Sequence, residues 1–354
     1  MREWRQALLF CQNHILQAFQ LPLASDTNSL VDSYGRVARK LRLSVTDKCN
    51  FRCNFCMPET PEWLPNDKVL SFGEITRLVS ILSLFGVDRV RVSGGEPLVR
   101  KDIEELVAML VKLPKIRKLG MTTNGFYLEE KASSLRKAGL DSVTISLHSL
   151  KAPRFAVVTQ REAHAKVLAG IKAAQREGFV VKINSVIIRG YNDDEIIDFA
   201  SLAHEQGFNM RFIEYMPFDG KRNWGMDKVV SGEEIVSKIA SRYSVVPLER
   251  ESGSTAVNYK FVDGQGEFGI ITSITKPFCG DCDRLRLTAD GKLVPCLFDS
   301  HEYDVAKLLR TGASDLEIGE FLKQSMKLKA PGVEALLKQS TPLTHVRPMY
   351  KTGG

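Results

Sequence analysis

Six of the seven cysteines fall into two groups of three, Cys49, Cys53 and Cys56, then Cys279, Cys282 and Cys296, while Cys11 stands apart. An odd total with no secretory leader argues for metal binding in a reducing compartment, not for a disulfide framework. The first group is spaced C-x3-C-x2-C and the second C-x2-C-x13-C. Three thiolates on one short loop can hold three irons of a cubane cluster and leave the fourth without a protein ligand. Such an open iron can chelate the amino and carboxylate groups of a methionine moiety, hold its sulfonium beside the cluster and pass the electron that breaks a carbon–sulfur bond. At the second triplet an open iron can bind a substrate directly. Zinc is the competing occupant, but structural zinc is tetrahedral and takes four ligands. No Cys or His lies near the first triplet to complete that set. Zinc competes more strongly at the second, because Cys279-Gly280-Asp281-Cys282 forms a knuckle, yet His301 is the only histidine nearby and its spacing is unremarkable. Cys11 reads as a small buried hydrophobe.

Between residue 41 and about residue 216, short β-rich runs alternate with helical patterns. Strands are expected at Leu41–Thr46, Arg89–Ser93, Lys118–Thr123, Ser142–Leu147, Val180–Ile188 and Asn209–Tyr215. Helices are expected at Phe72–Phe85, Lys101–Lys112, Glu129–Ala138, His164–Glu177 and Asp193–Gln206, several followed by a C-capping glycine. Parallel strands need such crossovers, and a run of right-handed ones curls a sheet in one direction. The expected fold class is therefore α/β: a partial (βα)6 barrel with a smaller C-terminal α+β module. A doubly wound open sheet is the alternative. In either, chemistry collects at the carboxyl ends of the strands, where Cys49, Gly94–Gly95, Asn124 and Ser146 fall. The expected boundaries are a helical extension and linker over 1–33, a barrel over 34–216, a module over 217–340 and a tail over 341–354. Module strands are placed around Ala256–Val262, Glu267–Thr272 and Arg284–Thr288, and the tail is too rich in Pro and Gly to be regular.

The chain has 354 residues, 44% of them hydrophobic, enough for a sizeable core, and contains no solenoid repeat and no apolar run long enough to span a bilayer. An amphipathic helix over Glu3–Phe19 is broken by Gln12, Asn13 and His14, unlike a signal peptide, and Glu3 disfavours a transit peptide. A cytoplasmic location is expected, with the mitochondrial matrix as the lesser alternative. The formal charge of +7 fits either a solvated basic surface or cations gathered on a polyanionic small substrate. No basic run with interleaved aromatics points to nucleic acid.

The cysteine spacing after a strand, with Phe55 inside it, resembles the radical S-adenosylmethionine (SAM) superfamily, and Ser93-Gly94-Gly95-Glu96-Pro97 resembles its glycine motif. More specifically, the chain from about Gly35 onward resembles the GTP 3′,8-cyclase family. The features are Gly35-Arg36, Leu41 to Asp47, Thr122-Thr123-Asn124-Gly125, Arg211 to Pro217, both triplets and Gly353-Gly354. The resemblance implies two 4Fe–4S clusters, held by Cys49, Cys53 and Cys56 and by Cys279, Cys282 and Cys296. It implies a SAM site at Phe55, Gly95, Ser146, Arg211 and Met216. A GTP site is implied at Arg42, Arg91, Thr122, Lys182 and Arg284-Leu285-Arg286, with Gly353 and Gly354 reaching into it in a catalytic role. Arg284 and Arg286 alternate on one strand and so share a face. The implied lyase turns GTP into (8S)-3′,8-cyclo-7,8-dihydroguanosine 5′-triphosphate through a 5′-deoxyadenosyl radical, at the start of molybdenum cofactor synthesis. Implied partners are a flavodoxin-type electron donor and a downstream cyclic pyranopterin monophosphate synthase, with room for a homodimer and no membrane. The chain departs from the family at His148, where Asp is common, at Thr159-Gln160-Arg161-Glu162, which lacks a glycine often found there, and in residues 1–33. Two other readings stand beside this one: a peptide-modifying radical SAM enzyme with an auxiliary cluster, and a non-catalytic metal-binding protein.

Overall fold

The computed structural model describes residues 29–218, 224–264, 266–334 and 347–354. The helix expected over Glu3–Phe19, Cys11 and much of the tail therefore lie outside the described residues. Six parallel strands, β1 (Lys40–Ser44), β2 (Arg89–Ser93), β3 (Lys118–Thr123), β4 (Ser142–Ser146), β5 (Val180–Ile187) and β6 (Asn209–Glu214), lie side by side in chain order. Each right-handed crossover advances in the same direction, so the helices share one face and the sheet curls around the other. A doubly wound sheet would need a reversal of strand order, and there is none.

Period-two alternation fixes the two faces. Leu41, Leu43, Val90, Val92, Met121, Val143, Ile145, Ile183 and Phe212 are buried in the core under the helices. Their alternates Arg42, Arg91, Thr122, Thr144, Asn184 and Arg211 point into the concave side. The crossover helices Phe72–Leu84, Ile103–Val111, Leu128–Lys137, His164–Arg176 and Ile196–Gln206 match the expected set closely. The first of them starts in a capping box made by Ser71 and Glu74, a pattern worth about 1 kcal/mol. An additional helix, Ala152–Thr159, lies between β4 and the helix His164–Arg176.

The C-terminal strands do not form a sheet of their own. β7 (Val245–Pro247), β8 (Val257–Phe261) and β9 (Glu267–Ile271) extend the β6 edge, and β10 (Arg284–Leu287), β11 (Lys292–Val294) and β12 (Tyr303–Asp304) extend the β1 edge, giving one sheet of 12 strands. β9 pairs parallel with β6 and β10 parallel with β1. A six-stranded half-barrel has two edges of unpaired backbone groups, and these strands satisfy both. The tail also differs from expectation: Met349–Thr352 form one helical turn.

Gln160 closes the helix Ala152–Thr159 with φ of 51°, in the left-handed region. A side chain there costs roughly 1–2 kcal/mol, part of which a glycine gives back through its freedom in the unfolded chain. Gln160→Gly is therefore expected to raise stability by about 1 kcal/mol. A denaturant titration should show the midpoint rising at an unchanged slope.

Candidate active site

The concave face encloses a cavity of about 290 Å³, walled by side chains from all six parallel strands and by both cysteine triplets. The first triplet sits on the loop after β1. That loop is stitched to the helix Ala152–Thr159 by Arg52 N–H to the Thr159 carbonyl (2.9 Å) and Asn54 N–H to the Val158 carbonyl (3.1 Å). Phe51 is buried beneath it, edge-on to Phe126 and to Phe155. Gly94 and Gly95 pass so close that a Cβ would lie 2.4 Å from the Thr46 carbonyl oxygen at the first and 2.3 Å from that of Asp47 at the second. The missing side chains thus make room for the chain that delivers Cys49. Glu96 is buried, accepting from Leu98 N–H, Thr123 Oγ1 and Asn124 N–H, and burial pushes its carboxyl up to about 7.

Burial also pushes the Cys49 and Cys56 thiols up to about 12 and Cys53 well above its ordinary value, with the Glu96 charge adding to the effect at Cys49 and neighbouring cysteines at Cys53 and Cys56. Three thiolates in such a place need positive charge beside them, which an iron–sulfur cluster supplies. Three thiols on one loop, with no fourth Cys or His beside them in the sequence, fit a polynuclear cluster better than mononuclear zinc.

The second triplet opens on a single turn at Cys279–Asp281, anchored by Arg250, whose guanidinium makes two bonds of 2.8 Å to Asp281. Burial raises the Cys282 thiol, but Arg284 and Lys329 outweigh it and bring it down to about 7. Arg284 Nη2 is 3.3 Å and Lys329 Nζ 3.6 Å from its sulfur. Arg36, paired with Asp32, donates to the carbonyls of Cys279 (2.9 Å) and Pro331 (2.8 Å). A Cβ on Gly332 would lie 2.5 Å from Cys279 Cβ. Sequence reasoning singled out Gly35-Arg36 without a role and missed Lys329 and Gly332.

Between the triplets stand five guanidinium groups. Arg42 on β1 is level with Arg91 on β2 and with Arg286 on β10, and Arg211 and Arg284 complete the ring. Burial, then repulsion from the other four, pulls Arg42 well below its ordinary value. Burial first, and a neighbouring arginine second, brings Arg91 and Arg286 down to about 10. Among the described residues, no Asp or Glu side chain forms an ion pair with any of the five. Arg211 Nε, Arg284 Nη1, Thr122 Oγ1 and Asn184 Oδ1 are buried without a hydrogen-bond partner. Such a site is built for a polyanion.

The C-terminal turn enters this ring. Arg286 donates to the Gly353 carbonyl and Arg42 to the terminal oxygen of Gly354 (3.1 Å). Tyr350 is 2% exposed and packs edge-on against Trp63, and its backbone N–H tempers the rise of the Cys56 thiol. Phe55, Gly95, Ser146, Arg211 and Met216 all line the cavity near the first triplet's wall or the β6 end. Three expected residues do not. Gly353 is off the wall and meets Arg286 through its carbonyl. Leu285 alternates away from Arg284 and Arg286 and is buried in the hydrophobic core. Lys182 is not on the cavity wall; it lies level with Thr144 and Asn209, and burial first, then Arg211 and Arg91, lowers its ammonium to about 8. His148 lies on the wall against the Phe55 ring, accepts from Val186 N–H at Nδ1 (3.2 Å), and is held neutral by burial, at about 4.

Residues 43–203 match the Radical SAM superfamily and residues 208–335 match Molybdenum Cofactor Synthesis C. With the barrel and the first triplet, this defines a radical SAM enzyme. In fold, SuiB of Streptococcus suis in complex with precursor peptide SuiA is similar with a TM-score of 0.60 at 16% identity, over 96% of this chain and 82% of that one. A GTP 3′,8-cyclase of Aquifex aeolicus is 40% identical over 92% of this chain and 100% of its own length. The mitochondrial GTP 3′,8-cyclase of Arabidopsis thaliana is 41% identical over 93% of this chain and 84% of its own. Human molybdenum cofactor biosynthesis protein 1 is 42% identical over 82% of this chain and 46% of its own length. The chain belongs to the GTP 3′,8-cyclase family. Membership of the superfamily implies a 4Fe–4S cluster and SAM.

The two terminal glycines are not equivalent. Gly353 has φ of 78°, and a Cβ there would lie 2.5 Å from Ser93 Oγ, whereas one at Gly354 would meet only Met349 Cγ at 3.5 Å. Gly353→Ala is expected to undock the turn, seen as faster hydrogen exchange at the Tyr350 and Lys351 amides. Gly354→Ala should leave those amides as protected as before.

Proposed function

We propose that this chain cyclises GTP to (8S)-3′,8-cyclo-7,8-dihydroguanosine 5′-triphosphate, the opening step of molybdenum cofactor synthesis. The observation that carries the reading is the set of five buried guanidinium groups between two cysteine triplets, with no Asp or Glu side chain paired to any of them among the described residues. A triphosphate supplies the missing charge, and charge-assisted bonds to Arg are the strong ones. Cys49, Cys53 and Cys56 would hold one 4Fe–4S cluster, and Cys279, Cys282 and Cys296 a second that would bind the substrate. When bound, the first cluster and SAM would supply the 5′-deoxyadenosyl radical chemistry that removes the ribose C3′ hydrogen and lets C3′ join guanine C8, with one further electron and a proton completing the 7,8-dihydro product.

The chain's own residues divide the remaining work. Phe55, Gly95, Ser146, Arg211 and Met216 shape the SAM side, and Glu96 offers an acceptor oxygen at its base. Arg42, Arg91, Thr122, Arg284 and Arg286 hold the triphosphate. Lys182 adds positive charge from below, without standing on the wall. Gly353 and Gly354 orient Arg286 and Arg42, and Tyr350 with Trp63 keeps water from the first triplet. Fixed geometry matters because both ends of the new bond lie in one substrate, and a misplacement of about 1 Å can cost on the order of a hundredfold in rate.

A flavodoxin-type donor and a downstream cyclic pyranopterin monophosphate synthase complete the proposed setting, and the division at 33, 216 and 340 is kept as a working description of the chain. No described helix is long and apolar enough to cross a membrane. The cytoplasm is the proposed location, with the mitochondrial matrix as the alternative.

Reconstituted anaerobically and given SAM, dithionite and GTP, the enzyme should form 5′-deoxyadenosine and a nucleotide with the mass of GTP but altered chromatography. Cys53→Ala should abolish 5′-deoxyadenosine. Cys282→Ala should lose about half of the iron and the cyclised product while still cleaving SAM. Full iron content in that variant, or GTP recovered unchanged with the intact enzyme, would defeat the reading. Arg42→Ala should weaken GTP binding by about tenfold or more, measured by equilibrium dialysis, because it removes a charge-assisted partner.

A further inference from the structure

We propose that the exposed face made by Phe126, Arg161 and Lys166 is where an acidic one-electron carrier protein docks to reduce the first cluster. The inference rests on the function proposed above. GTP and its cyclised product are isomers, so converting SAM to methionine and 5′-deoxyadenosine consumes two electrons and one proton per turnover. The proton can come from solvent. The electrons come one at a time from a carrier that is itself oxidised, and they must reach half-buried cysteines that line an internal cavity.

One route from the surface to the first triplet is only two rings deep. Phe51 is buried, and its N–H lies 3.4 Å from Cys49 Sγ. Its ring meets Phe126 at 6.0 Å with the planes at 87°. Phe126 is half-buried and carries two cations on its other side, the Lys166 ammonium 4.5 Å and the Arg161 guanidinium 5.7 Å from the ring centroid. Both cations are exposed, and among the described residues neither forms an ion pair, the adjacent Glu162 included. Arg52, on the cysteine loop itself, is not part of this face: it donates to the carbonyls of Cys49 (2.7 Å) and Phe51 (2.8 Å) and lies over the Trp63 ring. Cations held on an aromatic ring by cation–π contact, with no carboxylate to satisfy them, suit an acidic protein surface. The alternative entry, past Trp63, is covered by the buried Tyr350.

The test compares the unmodified enzyme with the double variant Arg161→Glu, Lys166→Glu, both fully reconstituted. 5′-Deoxyadenosine formation is measured with dithionite and, separately, with photoreduced flavodoxin over a range of ionic strength. With dithionite the two proteins are expected to be equal. With flavodoxin the double variant should be slower by about tenfold or more at low salt, and the fall in rate that salt causes in the unmodified enzyme should largely vanish. Equal flavodoxin-driven rates with equal salt dependence would overturn the assignment. So would a matching loss with dithionite, which would make the two cations supports of the site and not a docking face. Failure of the unmodified enzyme to cleave SAM with dithionite would instead defeat the proposed function.

Discussion

Three arginines stand abreast on adjacent parallel strands, Arg91, Arg42 and Arg286, each at the same register and each turned inward. Like charges placed directly across a sheet repel, and burial removes the water that would screen them. Left alone, this arrangement opposes folding. It persists because the outward alternates, Leu41, Leu43, Val90, Leu285 and Leu287, are fully buried and lock the register, so the arginines cannot turn away without exposing the core. The repulsion is thus stored in the site by the hydrophobic layer behind it, and an anion that enters relieves it.

The C-terminal oxygens are a partial answer to the same problem. Gly353 offers a carbonyl dipole to Arg286 and Gly354 its terminal oxygen to Arg42, so at most one negative charge is set against five guanidinium groups. The tail therefore orients the cations while leaving them electrostatically hungry. Tyr350 in the same turn tempers the rise of the Cys56 thiol, so one short segment acts on both the arginines and the first triplet.

Most of the barrel was legible because its periodicities are strong and local. β2 and β3 occupy the residues expected of them, and the crossover helices agree to within a few residues at their ends. The helix Ala152–Thr159 escaped notice because it is short, has Pro in its first turn and no side-chain cap, and holds the β-branched Val157 and Val158. β7, β11 and β12 are strands of only two or three residues, formed by pairing with a neighbour and not by their own pattern. The cysteines and arginines of the site were readable from type and spacing, but Lys329 was not. It lies 47 residues from Cys282, and nothing in its local sequence sets it apart from other lysines. Leu285 entered the expected set through the resemblance alone; its side chain faces the core, as the alternation of Arg284 and Arg286 requires.

The pairing of β1 with β10 has a consequence for the newborn chain. The strand that completes the β1 edge begins at Arg284, so roughly 230 residues must follow Cys56 out of the ribosome before that edge can close. At synthesis rates of about 5–20 residues per second this takes on the order of ten to fifty seconds. Throughout that interval β1 offers an unpaired edge, a hazard for aggregation, and the loop carrying Cys49, Cys53 and Cys56 stands next to it without the C-terminal turn that later covers it. Cotranslational protection of this half-built barrel, from both neighbouring chains and oxidants, is a demand that the topology itself imposes.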